Sequence, residues 1–147
     1  MKIVSFNINS IRARPHQVEA IVKKHKPDAI GLQETKVHDD EFPHEIADSV
    51  GYHAHIHGQK GHYGVAILTK EKPKKVIKGF EKDKKDSQKR FISASLKVGK
   101  KIVHVLNGYF PQGESRDHPK KFPYKEKFFE DLMLYLNKNF VPEDNII

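Results

Sequence analysis

Two hydrophobic periods take turns along this chain. Residues 2–9 (KIVSFNIN) alternate with period two, with Ile3, Ser5, Asn7 and Asn9 on one side and Val4, Phe6 and Ile8 on the other. Residues 15–25 change period: Val18, Ile21, Val22 and His25 fall at i, i+3, i+4 and i+7, the stripe of a helix packed on a sheet. Pro15 suits its first turn, Pro27 ends it, and Lys23 and Lys24 sit at its negative end. Residues 28–36 (DAIGLQETK) then hold a short apolar run with no turn residue, which reads as a buried strand ending at Glu34. Strand, helix and strand within about 33 residues predict two parallel, adjacent strands. Asn7 and Glu34 should therefore meet at one sheet edge, the carboxyl end, where open sheets place reactive groups.

Further on, Asp39 or Asp40 can cap a short helix reaching about residue 50, with Pro43 in its first turn. Residues 52–57 alternate again, Tyr52, Ala54 and Ile56 against His53, His55 and His57. GQKGHYG (58–64) reads as a turn and 65–69 as an apolar strand, with another strand at 76–80. Residues 81–89 (EKDKKDSQK) contain no apolar side chain and predict an exposed loop. Strands at 90–97 and 101–107 flank Val98-Gly99-Lys100 as a hairpin, a polar loop fills 108–121, and a helix runs over 123–139 with Phe128, Leu132, Tyr135 and Leu136 in its stripe. Asn145, Ile146 and Ile147 read as the opening of another strand, so the expected pattern is α/β with mixed strand order, cut short on its C-terminal side. No internal repeat, flexible linker or second-domain composition shift is visible, which predicts that 1–147 all belong to one domain.

Composition changes this picture little. With 37% hydrophobic and 31% charged residues the chain reads as globular, and no apolar run approaches the roughly 18 residues a membrane helix needs. Zero cysteines exclude disulfides and thiolate metal sites. With no export leader visible, the cytoplasm is the expected compartment. Charge adds more. Between residues 70 and 101 there are thirteen Lys or Arg against four Asp or Glu, a net of +9 within a chain total of +8. Such a concentrated field attracts polyanions, although a lysine-rich solvated surface gives the same pattern.

Candidate chemistry centres on Glu34 and Asn7. A carboxylate after a buried strand is a hard oxygen ligand of the kind Mg²⁺ takes one or two of, and Asn7 offers an amide beside it; the alternative is a loop cap and a satisfied strand end. Tyr109 lies in NGYFPQGES (107–115), where its phenol could donate to a phosphoryl oxygen, or act as a base if its pKa were lowered, or simply plug the sheet end. Gln112, Ser115 and Arg116 on that loop suit phosphate or sugar contacts. His53, His55 and His57 share a strand face but lack a close carboxylate or cysteine partner, so a solvated face is expected rather than zinc. The glycine-rich turn at 57–64 has no P-loop pattern. Neither G-x-S-x-G nor GxGxxG occurs.

Five stretches together carry a resemblance: SFNIN (5–9), RARPHQ (12–17), LQETKVHDD (32–40), HGQKGHYGVA (57–66) and NGYFPQGESRDHP (107–119). They resemble the exonuclease III family, within the endonuclease/exonuclease/phosphatase superfamily of Mg²⁺-dependent phosphodiesterases. The resemblance implies a partial four-layer α/β sandwich, two mixed sheets flanked by helices, with the C-terminal half absent. It also implies a DNA repair hydrolase, both 3′→5′ exonuclease and abasic-site endonuclease, using Mg²⁺ or alternatively Mn²⁺. Its partner would be double-stranded DNA with abasic sites or 3′ ends, with no membrane, and the chain a monomer. Glu34 and Asn7 match the metal-site residues and Tyr109 the tyrosine at the scissile phosphate. Gln112, Arg90, Lys121, Gly61 and His62 fall where DNA contacts are expected.

Two departures matter. Ser10 stands where such enzymes usually carry glycine, and the family's later aspartates, asparagine and histidine do not occur in these residues. The chain alone is therefore expected to lack turnover, with an uncovered inner apolar face. Two competing readings are a non-catalytic nucleic-acid-binding remnant and a superfamily phosphatase acting on a smaller phosphate ester.

Overall fold

The computed structural model describes every residue from Met1 to Ile147, in two compact units. The first comprises Met1–Gly79, Gln88–Tyr109 and Asn145–Ile147, and the second Phe80–Ser87 and Phe110–Asp144.

In the first unit, β1 (Ile3–Asn7), α1 (Pro15–His25) and β2 (Ala29–Gln33) form the expected parallel crossover, with Asn7 opposite Gln33. A 3₁₀ turn at Asp39–Glu41, α2 (His44–Asp48), β3 (His53–His57) and β4 (Val65–Thr69) follow, completing a mixed sheet of order β1-β2-β4-β3. The second mixed sheet is β5 (Lys75–Lys78), β6 (Phe91–Val98), β7 (Lys101–Gly108) and β8 (Asn145–Ile146), with β8 parallel to β7. The strand expected to open at residue 145 is thus present and paired.

Alternation decides which face meets which layer. Ile30, Leu32, Ala66, Leu68 and Ile56 pack with Val18 of α1 and Ala47 of α2 on one side of the first sheet. From the other side Ala29, Val65 and Ile67 meet Ile92, Ala94, Leu96 and Val105 of the second sheet. The inner apolar face expected to be uncovered is therefore closed, because each sheet buries the other's. The histidine face of β3 also points between the sheets, near β5 and β6. This corrects the expectation of a solvated face: His55 and His57 are half-buried, and only His53 is exposed.

Some details differ from the pattern. Residues 39–50 split into two short pieces because Pro43 forces Phe42 into extended backbone (φ −68°, ψ 130°). His25 is exposed rather than part of the helix stripe. The first strand ends at Asn7, since Asn9 (φ 46°) and Ser10 (φ 83°) turn left-handed. That conformation suits glycine and strains a serine by about 1–2 kcal/mol. Ser10→Gly is accordingly expected to stabilise the chain by about 1 kcal/mol in urea unfolding, the gain being trimmed by the looser unfolded state. No change, or a loss, would show that the strain is absorbed elsewhere.

In the second unit α3 (Lys121–Asn139) starts two residues before the expected point and buries Phe128, Asp131 and Tyr135. Phe128 packs edge-on against Phe80 and Phe110, with ring centroids 5.3 and 5.0 Å apart. Phe129, Met133 and Leu134 on the same helix are exposed. No helix of the chain is long and apolar enough to cross a membrane.

Candidate active site

Glu34 is the first residue beyond β2, and its backbone turns left-handed (φ 55°), as does that of Lys36 (φ 57°). Two non-glycine residues in that region within three positions mark a hook held by its surroundings, a kind of strain concentrated at functional sites. The N–H groups of Thr35 and Lys36 donate to the carbonyls of Gly64 and Tyr63, at 3.0 and 2.9 Å, which ties the hook to the glycine-rich segment 58–64. Gly64 in turn donates to the carbonyl of Lys89 at 3.0 Å. Three distant pieces of sequence converge here.

The hook aims the Glu34 carboxylate at Asn7. Asn7 Nδ2 donates to Glu34 Oε1 at 2.9 Å, and Lys36 Nζ lies 3.0 Å from Oε2. The Tyr109 phenol donates to the same carboxylate. Asn7 Oδ1 accepts from the Asn9 N–H at 3.0 Å, and Asn9 Oδ1 accepts from Lys36 Nζ at 2.6 Å. The Glu34 side chain is 17% exposed. Partial burial works against its charge, but the hydrogen bonds from Asn7, Tyr109 and Lys36, with the Lys36 charge, outweigh it and hold the carboxyl down at about 2. Tyr109 moves the other way: burial first, then the Glu34 carboxylate it faces, push its phenol above the ordinary value. At neutral pH the site therefore presents an ionised carboxylate and a protonated phenol. Tyr109 is a donor here, and the option of a base through a lowered pKa falls away.

Arg90, just before β6, fixes the tyrosine from the side. Its guanidinium lies 4.7 Å from the centre of the Tyr109 ring and 4.5 Å from that of Tyr63, and its Nη1 donates to the Tyr109 carbonyl at 2.9 Å. The structure thus brings Asn7, Glu34, Tyr109 and Arg90 together. Gly61 and His62 are exposed on the segment leading to Tyr63. Gln112 and Lys121 are exposed in the second unit, where Lys121 pairs with Glu114 and the Gln112 carbonyl accepts from Lys125 at 3.3 Å.

Sequence reasoning passed over Lys36 and Tyr63, and the buried pair Gln33 and Asn107. The one signal for that pair was Gly31, a glycine inside a strand, which often marks close approach of another group. A Cβ on Gly31 would lie 3.0 Å from Asn107 Cγ and Oδ1.

The ionised carboxylate fits a hard divalent cation in type, while the Asn7 amide turns its Nδ2 to that carboxylate and its Oδ1 to the Asn9 N–H. The site supplies a single carboxylate, and nowhere in the chain do three His, Cys, Asp or Glu side chains gather into a metal-holding group. Among groups away from the site, His57 has the largest perturbation: burial, then the charge of Lys89, push its ring down to about 4. Its Nε2 is buried without a partner.

Both groups make the fold acid-labile. The folded pKa is depressed in each, so the unfolded chain binds the proton first and stability falls as pH falls. For His57 the window runs from about 6.5 to about 4, and for Glu34 from about 4.5 to about 2. Glu34 should contribute of order 2 kcal/mol after solvent screening. Urea unfolding at pH 7, 5 and 3 is expected to show two successive losses, with His57→Asn removing the upper one. A flat profile down to pH 4 would contradict this.

The chain matches the endonuclease/exonuclease/phosphatase family over residues 4–147 and belongs to it. Within that family it is 60% identical, over 138 residues, to exodeoxyribonuclease III of Haemophilus influenzae, covering 94% of this chain and 52% of that protein. An exodeoxyribonuclease of Bacillus subtilis is 29% identical over 140 residues, again covering 52% of the relative. Among solved structures, an AP endonuclease from Archaeoglobus fulgidus superposes with a TM-score of 0.84 at 40% identity, covering 96% of this chain and 52% of that one. The 3′ phosphatase NExo from Neisseria, bound to a product DNA hairpin, gives 0.84 at 36% identity over 94% of this chain and 52% of its own. The resemblance read from the five motifs is borne out, as are the two mixed sheets with flanking helices. The chain spans about half the length of these relatives.

Proposed function

We propose that residues 1–147 are the N-terminal half of one DNA repair phosphodiesterase domain, acting on duplex DNA at abasic sites and 3′ ends, as a cytoplasmic monomer using Mg²⁺, with Mn²⁺ as a substitute. The observation that carries this reading is the Glu34 carboxylate, held ionised by Asn7, Lys36 and the Tyr109 phenol at the edge of the two-sheet sandwich. The relatives described above, an exodeoxyribonuclease, an AP endonuclease and a 3′ phosphatase, agree with it.

Glu34 would hold the cation, with Asn7 beside it. When bound, a divalent ion supplies charge stabilisation on the phosphate and leaving oxygen. The chain's own groups have distinct tasks. Tyr109 keeps its proton and donates to a phosphoryl oxygen, and Arg90, stacked on two tyrosine rings, supplies positive charge beside it. Asn7 Nδ2 orients the carboxylate. Gly61, His62, Gln112 and Lys121 are the proposed backbone contacts. The lysine-rich stretch 70–101, with a net charge of +9, draws in the duplex.

No histidine or second carboxylate accompanies Glu34 to activate water. A positioned acid or base commonly contributes about 10²–10⁴-fold, so the 147-residue chain is expected to bind without cutting. The test uses a duplex with one tetrahydrofuran abasic analogue, Mg²⁺ and a salt series. Preferential binding to the lesion without incision supports the reading. Equal binding to intact duplex that collapses with salt favours attraction through charge alone. Robust incision would refute the half-site.

A further inference from the structure

Directly beneath the site two side chains cross between the sheets. Gln33 precedes Glu34 by one residue and Asn107 precedes Tyr109 by two. Gln33 Nε2 donates to Asn107 Oδ1 at 2.6 Å, and Asn107 Nδ2 donates to the carbonyls of Leu32 and Ala66, both at 2.9 Å. The Gln33 amide also reaches Ser5 Oγ at 3.2 Å and the Gly31 carbonyl at 3.3 Å. The two residues are 8% and 4% exposed.

The setting gives these bonds a role that packing cannot fill. Around them the inter-sheet core is apolar, built from Ala29, Val65, Ile67, Ile92, Ala94, Leu96 and Val105. Apolar contact is non-directional and tolerates sliding of one sheet over another. A hydrogen bond of 2.6 Å between amides is directional, and buried networks of this kind specify a single arrangement. Asn107 commits its oxygen and its amide group, so one flip state alone satisfies it. Gly31 leaves the space it needs. The strand that leads into Tyr109 is thus pinned to the strand that leads into Glu34, within one or two residues of each.

We propose that Gln33 and Asn107 are positioning residues: their bond sets the register between β2 and β7 and so holds the Tyr109 phenol on the Glu34 carboxylate. This rests on reading Glu34, Asn7 and Tyr109 as the site. Neither amide touches substrate; both act through their neighbours.

The test is carbon NMR of the 147-residue chain labelled at tyrosine Cζ, whose shift reports phenol hydrogen bonding. Tyr109→Phe assigns the resonance, and Glu34→Ala gives its position without the acceptor. Gln33→Met keeps the volume and removes the donor. It is expected to move the Tyr109 signal at least about halfway to its Glu34→Ala position and to weaken Mg²⁺ binding by calorimetry about 10–100-fold. In the Tyr109→Phe background the same substitution should change affinity by less than roughly twofold, because the pair acts through the phenol.

A folded Gln33→Met chain with an unmoved Tyr109 signal would overturn the proposal, and so would equal affinity losses in both backgrounds. Should Gln33→Met fail to fold, Gln33→Asn keeps a buried amide but withdraws it by one methylene, and is judged by the same two criteria. Failure of the site reading is seen separately, as a Glu34→Ala chain that binds Mg²⁺ like the parent; the tyrosine signal still decides the positioning.

Discussion

Glu34→Gln is expected to lower the affinity of the chain for Mg²⁺ or Mn²⁺ by at least about 100-fold in calorimetry, the upper end of what residues that merely support a ligand cost. The substitution preserves shape and removes the one carboxylate of the site. With a pKa of about 2, Glu34 is ionised throughout the neutral range, so affinity should stay flat from pH 6 to 8 and collapse only in acid. Glutamine would also turn an amide toward Lys36 Nζ, which lies 3.0 Å from Oε2 in the parent. Lys36 should temper any cation affinity of the parent as well, since its ammonium lies 3.0 Å from the carboxylate. Unchanged binding in Glu34→Gln would place the cation elsewhere.

Gly64→Ala is expected to destabilise the chain by about 3 kcal/mol or more, measured by urea unfolding. Gly64 has φ of 95°, where side chains are strained, and a Cβ would overlap Thr35 Oγ1 and press on the Gln59 N–H at 3.1 Å. Thr35 cannot retreat, being 1% exposed with its N–H bonded to the Gly64 carbonyl. The same contact forms the hook that turns Glu34 toward Asn7, so the variant should lose cation binding along with stability. A loss below about 1 kcal/mol would mean that the hook yields easily.

Much of this arrangement is legible from local pattern. The switch from period two to period 3.6 and back fixes a crossover, and a crossover of that length implies parallel neighbours, which is why Asn7 and Glu34 could be paired without coordinates. Tyr109 is harder. Its loop is recognisable, but its raised pKa comes first from burial and then from a carboxylate 75 positions away in sequence. The β3 histidines show where alternation stops informing: it separates two faces of a strand but does not say which one meets water, and here a second sheet covers the polar face. Gln33 and Asn107 read as ordinary strand polar residues until the sheets are stacked. The conformation of Ser10 became clear only once its φ of 83° explained why glycine is the expected occupant.

The central claim is that Glu34, with Asn7 beside it, holds one divalent cation next to the Tyr109 phenol. Substoichiometric Mn²⁺ added to ¹⁵N-labelled chain tests it directly, since the paramagnetic ion erases nearby amide signals. The account predicts losses confined to the backbone around residues 7–10, 34–36 and 108–109, abolished by Glu34→Gln. Sharp signals at those positions, with broadening centred instead on the β3 histidines or the acidic 39–41 turn, would contradict it.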